Sequence, residues 1–229
     1  MFNLKTNARI TGVLFILGTV PAIAAMVLWG QPLSSPDYLS EMAAHHVQML
    51  YSALVAMCMG FACAGIGISL YPVLKRHGEG LALGVLGFRL IEGTIQIVSA
   101  VGIVALLAVS QEFVKAGSPP DSFFQPAAAA IKAVRDWVLN GAYLFPWCIG
   151  ASIYYTIFFR TRLVPRWLSV WGLLGLALML VGAFAGMFGF LGSFSPVQIF
   201  LMLPIMVQEM ALAVWLIVKG YKDDPTIKT

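Results

Sequence analysis

Residues 84–98 read GVLGFRLIEGTIQIV, an apolar run interrupted by Arg89 and Glu92 three positions apart. At 100° per residue, Arg89, Glu92, Gln96 and Ser99 fall within about 80° of one another, so on a helix these polar groups share one face. A second acid embedded in apolar sequence, Glu209, lies in PIMVQEMALAVWL. Arginine stays charged and presents a fork of donors that a carboxylate can accept side by side, so one Arg–Glu pair is rigid. One arginine against two glutamates leaves net −1 if all three are ionised. Either one glutamate holds a proton or something cationic completes the group. A spare acid of this kind is suited to binding a proton or a cation, or to acting as a general acid.

A second stripe follows. Asp136, Asn140, Tyr143, Trp147 and Tyr154 also fall within about 80° on a helix. Aromatic faces beside a buried acid would line an access path for a ligand and attract an amine or quaternary ammonium. The same residue types serve as interface anchors and interhelical hydrogen-bonding groups, and that reading stands beside the first. The candidate ligand-binding residues are therefore Arg89, Glu92, Gln96, Glu209, Asn140, Tyr143 and Trp147. Neither a cofactor nor a metal is expected. His45 and His46 are adjacent, so on a helix they point about 100° apart and lack the i, i+4 spacing of a metal pair. The sequence has no nucleophile elbow, no phosphate-cradling glycine loop after a strand, and no paired-cysteine metal signature. Which residues would be catalytic, if any are, does not follow from these motifs.

The elements that must carry these side chains are membrane helices. Of 229 residues, 60% are hydrophobic and only 10% charged, and the mean hydropathy is +0.88; water-soluble domains carry about a quarter charged residues. Six apolar runs, at about 10–29, 47–74, 81–109, 137–159, 164–190 and 197–218, each approach or exceed the ~20 residues needed to cross ~30 Å of hydrocarbon. Lipid offers no partner for backbone groups, so the spans must be helical. The expectation is a single all-α domain over residues 1–229, a bundle of six transmembrane helices with one long outer loop at 110–136. With the N-terminus inside, ten Lys and Arg residues lie on the cytoplasmic side and three outside, with Arg89 in the membrane. That asymmetry places both termini in the cytoplasm of a cell inner membrane. The first span begins like a secretory signal, but its apolar run is too long for a typical signal core, so a retained helix is expected.

Charge of this kind reflects topology and contact with anionic lipid, and no basic face with stacking aromatics suggests nucleic acid. The lipid bilayer is thus the first partner, and a small molecule the second. Cys58, Cys63 and Cys148 all fall within spans, an odd count that argues against a disulfide framework. The short connections KRHGEG and RTRLVPRW require antiparallel neighbours. In the long one, SPPDSFFQP excludes regular helix, while AAAAIKAVRD starts one at Pro126 that lies on the outer face or runs straight into the fourth span. Pro21, Pro146 and Pro204 sit inside spans and tend to bend them. The fifth span carries Gly172, Gly175, Gly182, Gly186 and Gly189, and GAFAG has the small-xxx-small spacing that lets helix backbones approach. Packing within the bundle is its first use, with a homodimer interface as the alternative. Six helices divide into two groups of three with opposite orientation, the arrangement of inverted-repeat transporters, and the third span of each half carries an acid, Glu92 and Glu209, although the halves are not similar in sequence.

Four segments, ARITGVLFILGTV, LYPVLKRHGEGLALGVLGFRLIEG, LVPRWLSVWGLLG and PIMVQEMALAVWLIVKGY, together resemble the bacterial multi-pass membrane-protein family catalogued as domain of unknown function 4386. The likeness spans nearly the whole chain, and its most specific part pairs R-x-x-E in the third span with P-x-x-x-Q-E-x-x-L-A-x-W-L-x-x-K-G in the sixth. The resemblance implies an all-helical inner-membrane protein and points to Arg89, Glu92 and Glu209, with no reaction to carry over. Three functions compete: binding or transport of a small, cationic molecule at the charged cluster; a structural or regulatory protein whose charges only lock the bundle; and a membrane enzyme acting on a lipid or isoprenoid.

Overall fold

The computed structural model describes residues 3–191 and 195–222. The side chains at 22, 23, 25–27, 29, 31 and 140 lie outside the described residues. Eight α-helices follow in order: α1 (Leu4–Ser34), α2 (Tyr38–Ala44), α3 (His46–Leu74), α4 (Glu79–Lys115), α5 (Phe124–Trp137), α6 (Leu144–Thr161), α7 (Arg166–Met187) and α8 (Pro196–Val218). No strand occurs among the described residues. Four of these helices are long and apolar enough to cross a membrane by length and composition: α3 with the turn that follows it, α4, α7 and α8.

The six long helices form a closed ring in chain order. α1 packs on α3, α3 on α4, α4 on α6, α6 on α7, α7 on α8, and α8 back on α1. The four-residue connections after α3 and α6 can only return the chain antiparallel to the helix it has just left, and α2 and α5 carry the longer returns to α3 and α6. Asn3 starts α1 by accepting hydrogen bonds from the amides of Lys5 (2.9 Å) and Thr6 (3.3 Å). Ser195 does the same for Gln198 at the start of α8, where Pro196 occupies a first-turn position that needs no amide hydrogen. One end of the ring is stapled: Lys222 donates its amide to Leu163 O (2.8 Å), Asn7 donates to Ser69 O (2.9 Å), and Tyr221 donates to the Thr11 hydroxyl (3.4 Å).

Glycines set the tightest approaches. A side chain on Gly60 of α3 would meet Gly93 O of α4 at 2.7 Å, and one on Gly12 of α1 would meet Ala213 O of α8 at 2.6 Å. The glycines of α7 face their own chain: Gly172 lies against the Tyr155 ring, Gly175 against Ile205, Gly182 against Leu201 and Gly186 against Gln198. Their small size is thus used inside the bundle. Gly189, by contrast, ends α7 in the left-handed region at φ 76° with open space around it.

The connection expected as an outer loop at 110–136 is mostly helical. α4 continues through Lys115, and at 37 residues it is about 55 Å long, well beyond ~30 Å of hydrocarbon. Its overhang is covered by α2 and α5, which build a second apolar core from Leu39, Met42, Met49, Leu106, Phe113 and Ala128. Burial against α2 and α5 gives that extra length of helix its own apolar support. The helix expected at Pro126 starts two residues earlier, at Phe124, with Pro126 still in its first turn, and it runs straight into the fourth long helix. The junction is a π-helical turn, Val138–Ala142, closed by the Tyr143 amide donating to Val138 O (3.1 Å). Pro146 lacks an amide hydrogen and crowds the preceding turn, which accounts for a widened turn just before it. The fourth expected span, 137–159, therefore begins with this turn and is regular α-helix only from Leu144.

Candidate functional site

The ring closes around one polar group. Arg89 and Glu92, one turn apart on α4, are 1% and 2% exposed, and Glu209 on α8 is 5% exposed. Arg89 Nη1 donates to both carboxylate oxygens of Glu92, at 3.1 and 3.0 Å. Its Nη2 donates to the Tyr154 hydroxyl of α6 at 2.9 Å and lies 3.7 Å from Glu209 Oε1. The guanidinium also sits 5.8 Å from the centre of the Phe15 ring of α1 and 5.3 Å from that of Tyr154. One cation thus touches four helices. An ion desolvated this fully persists only with such company.

Room for this side chain is made in the backbone. A Cβ on Gly67 of α3 would stand 2.8 Å from Arg89 Cβ, and one on Gly150 of α6 would stand 3.9 Å from Arg89 Cγ. Both glycines flank the arginine stem, so the cluster depends on helices that carry none of its charges.

The two acids are held unequally. Glu92 is engaged by Arg89 through both oxygens, with Cys63 of α3 beside it. Glu209 accepts one hydrogen bond, from the Thr19 hydroxyl of α1 to Oε2 at 2.9 Å. Its Oε1 has no hydrogen-bond donor within normal geometry. Two further buried polar atoms nearby share that condition, Arg89 Nε and the indole Nε1 of Trp147. Trp147 lies near the Glu209 carboxylate without making a hydrogen bond of normal geometry to it. Buried polar atoms are almost always hydrogen-bonded, so Glu209 Oε1, held only by its 3.7 Å ion-pair contact, and the donors Arg89 Nε and Trp147 Nε1 are the under-satisfied atoms of the cluster.

Several expected residues meet here. Trp147 is 7% exposed and stacks on Tyr143, with ring centres 6.0 Å apart and 13° between planes, so this part of the stripe faces the bundle interior. Gln96 is buried one turn above Glu92 and donates to the Met59 sulfur at 3.6 Å. The Asn140 side chain lies outside the described residues. Asp136 belongs elsewhere: it accepts from Arg135 Nη1 at 3.1 Å at the far end of the bundle. Burial pulls the Arg135 guanidinium below its usual range, and Asp136 opposes that pull. Among the described residues no group of three or more His, Cys, Asp or Glu side chains is placed to hold a metal ion.

Sequence reasoning missed Phe15 and Thr19, which stand one turn apart on α1 and supply a ring for Arg89 and a hydroxyl for Glu209. A threonine four residues after a phenylalanine in an apolar run is a faint signal. Tyr154 was visible within the stripe, though not as the direct partner of Arg89. Gln208, in the same motif as Glu209, accepts from the Tyr155 hydroxyl at 2.5 Å and donates to Leu168 O at 2.9 Å, tying α6, α7 and α8 together beside the cluster. A family model described as Domain of unknown function (DUF4386) matches residues 10–220. No curated protein and no solved structure matches the chain.

Proposed function

The chain belongs to the DUF4386 family, and from that premise we propose that it is a six-span inner-membrane protein that binds, and carries across the membrane, a small cationic species at the Arg89–Glu92–Glu209 cluster. Both termini are cytoplasmic in this reading, as the Lys and Arg asymmetry requires. The observation that carries it is the inequality of the two acids. Glu92 takes two hydrogen bonds from Arg89, while Glu209 is a second buried carboxylate whose Oε1 has only a 3.7 Å ion-pair contact with Arg89 and no hydrogen bond, near an indole N–H that also makes none. The excess negative charge selects a cation, and the stacked rings of Tyr143 and Trp147 supply aromatic faces on the same side of the bundle.

A structural lock is the second reading, favoured by a guanidinium that bridges α4 and α6, lies against a ring of α1 and comes within ion-pair distance of α8. Thermal unfolding in detergent with a panel of small amines and quaternary ammonium ions separates the two. Binding predicts that a panel member stabilises the parent, that Glu209→Gln is at least as stable as the parent without ligand, and that its response to that compound is lost. Glu92→Gln, which strands Arg89, is destabilised on either reading. A Glu209→Gln variant as destabilised as Glu92→Gln, together with no response from the parent, would establish the lock and sink the binding site.

A further inference from the structure

Away from the charged cluster, α4 and α6 part at the end of the bundle that carries the basic turns, leaving a groove of about 340 Å³. Its α6 wall presents Ser152, Thr156 and Arg160 four residues apart, in line along the helix, beside Ile153 and Ile157. Its α4 wall is Leu81, which is 51% exposed. On the floor, Gly84 of α4 leaves space beside Ile153, whose Cδ1 atom is all that a Cβ there would meet, at 3.5 Å. The groove is therefore amphiphilic along its length. Arg160 stands at the mouth, and Ile153 lies about 10 Å deeper along the helix.

We infer that this groove binds one anionic phospholipid, its phosphate at Arg160 and an acyl chain along Ile157, Ile153 and Leu81. Charge complementarity supports the choice. The segments that bound the mouth, 75–79 and 160–166, hold five Lys and Arg residues against the single acid Glu79, and Glu79 accepts a long hydrogen bond from the Tyr71 hydroxyl at 3.5 Å. Arg166 is engaged elsewhere, donating to Phe159 O at 3.2 Å and lying over the Phe159 ring. Arg160 is exposed at the groove itself. The level also suits a headgroup. Trp167 and Trp171 stack at the start of α7 with centres 6.1 Å apart, and Trp167 is 55% exposed, the placement of an interfacial aromatic anchor. The hydroxyls of Ser152 and Thr156 donate to Ile149 O and Ser152 O of their own helix, so along the acyl-chain path they present no unpaired donor.

The test uses the full chain in detergent, with phosphatidylglycerol, phosphatidylcholine or inorganic phosphate added, read by native mass spectrometry and by thermal unfolding. The expected result is a single tightly held phosphatidylglycerol that stabilises the protein, with little effect of phosphatidylcholine. Arg160→Gln should weaken that binding about fivefold, equivalent to about 1 kcal/mol. Gly84→Leu, which fills the floor without removing charge, should displace the lipid as well. Arg162→Gln, at the same end but outside the groove, should leave it in place. Equal stabilisation by both lipids, equal loss in the Arg160 and Arg162 variants, or full protection by inorganic phosphate alone would each overturn the proposal.

Discussion

Arg89 is the residue on which the interior depends. Its guanidinium donates to Glu92 and Tyr154 and lies 3.7 Å from Glu209, so removing it strands two carboxylates where water cannot reach them. Arg89→Ala should cost about 3 to 5 kcal/mol, the range for breaking a buried pair by deleting one partner. Combining it with Glu92→Gln should recover much of that loss, because the double variant no longer holds the charge that Arg89 compensated. A double-mutant cycle on thermal stability in detergent measures the coupling, and coupling near zero would mean that the pair does not act as one unit. The same cycle with Glu209→Gln should give a smaller value, since the contact is longer and Glu209 takes its one hydrogen bond from Thr19. Arg89→Lys should fail as a substitute, because an ammonium cannot reach Glu92 and Tyr154 together with the spread of a fork.

At the scale of the element, α3 and α4 approach closely where Gly60 and Gly93 face one another. This crossing sits one residue from Glu92 and fixes how far α4 stands from its neighbour. Gly93→Ala should force the two backbones apart and destabilise the protein by about 1 to 3 kcal/mol, the cost typical of overpacking. On the same helix, Gly87 has no atom within 4 Å of where its Cβ would stand. Gly87→Ala should therefore leave stability unchanged or raise it by up to about 1 kcal/mol, through the gain in helix propensity. Unfolding temperatures of the two variants, measured side by side, check the contrast. Equal behaviour would mean that the close approach does not hold the helices in place. The π turn before Pro146 is a further element-scale device, since it lets the amphipathic α5 turn into α6 without ending the chain's helical path.

For the whole molecule, the expected outcome is a six-span topology with both ends on the side that carries the basic turns. A reporter fused after Lys222 should be active in the cytoplasm, and one inserted within 118–125 should be active outside; an exported C-terminus would reverse the assignment. Much of the helical fold was legible in the sequence. The apolar runs located six long helices, four of them long and apolar enough to cross a membrane, because backbone groups in hydrocarbon must bond internally and helix length follows from bilayer thickness. The spacing of Arg89 and Glu92 placed them on one face of α4, and their cost in lipid required that face to turn inward. What the ring decided was the company they keep. Thr19, Phe15 and Tyr154 come from helices far away in the chain, and nothing local distinguishes a hydroxyl or a ring that meets an ion from one that meets lipid. The glycines that admit the arginine, Gly67 and Gly150, read as ordinary small residues until their neighbours are known. Likewise, the sequence predicts the helix from Pro126 within 110–136 but neither α2 nor the continuation of α4 through Lys115, because neither shows the length or apolar run of a span. Packing of α2 and α5 against the overhang of α4, an apolar burial between distant segments, is what gives them a core of their own. Local periodicity determines which way a side chain faces along its own helix; which of two glutamates takes the arginine is set by distances between helices, and those exist only once the ring has closed.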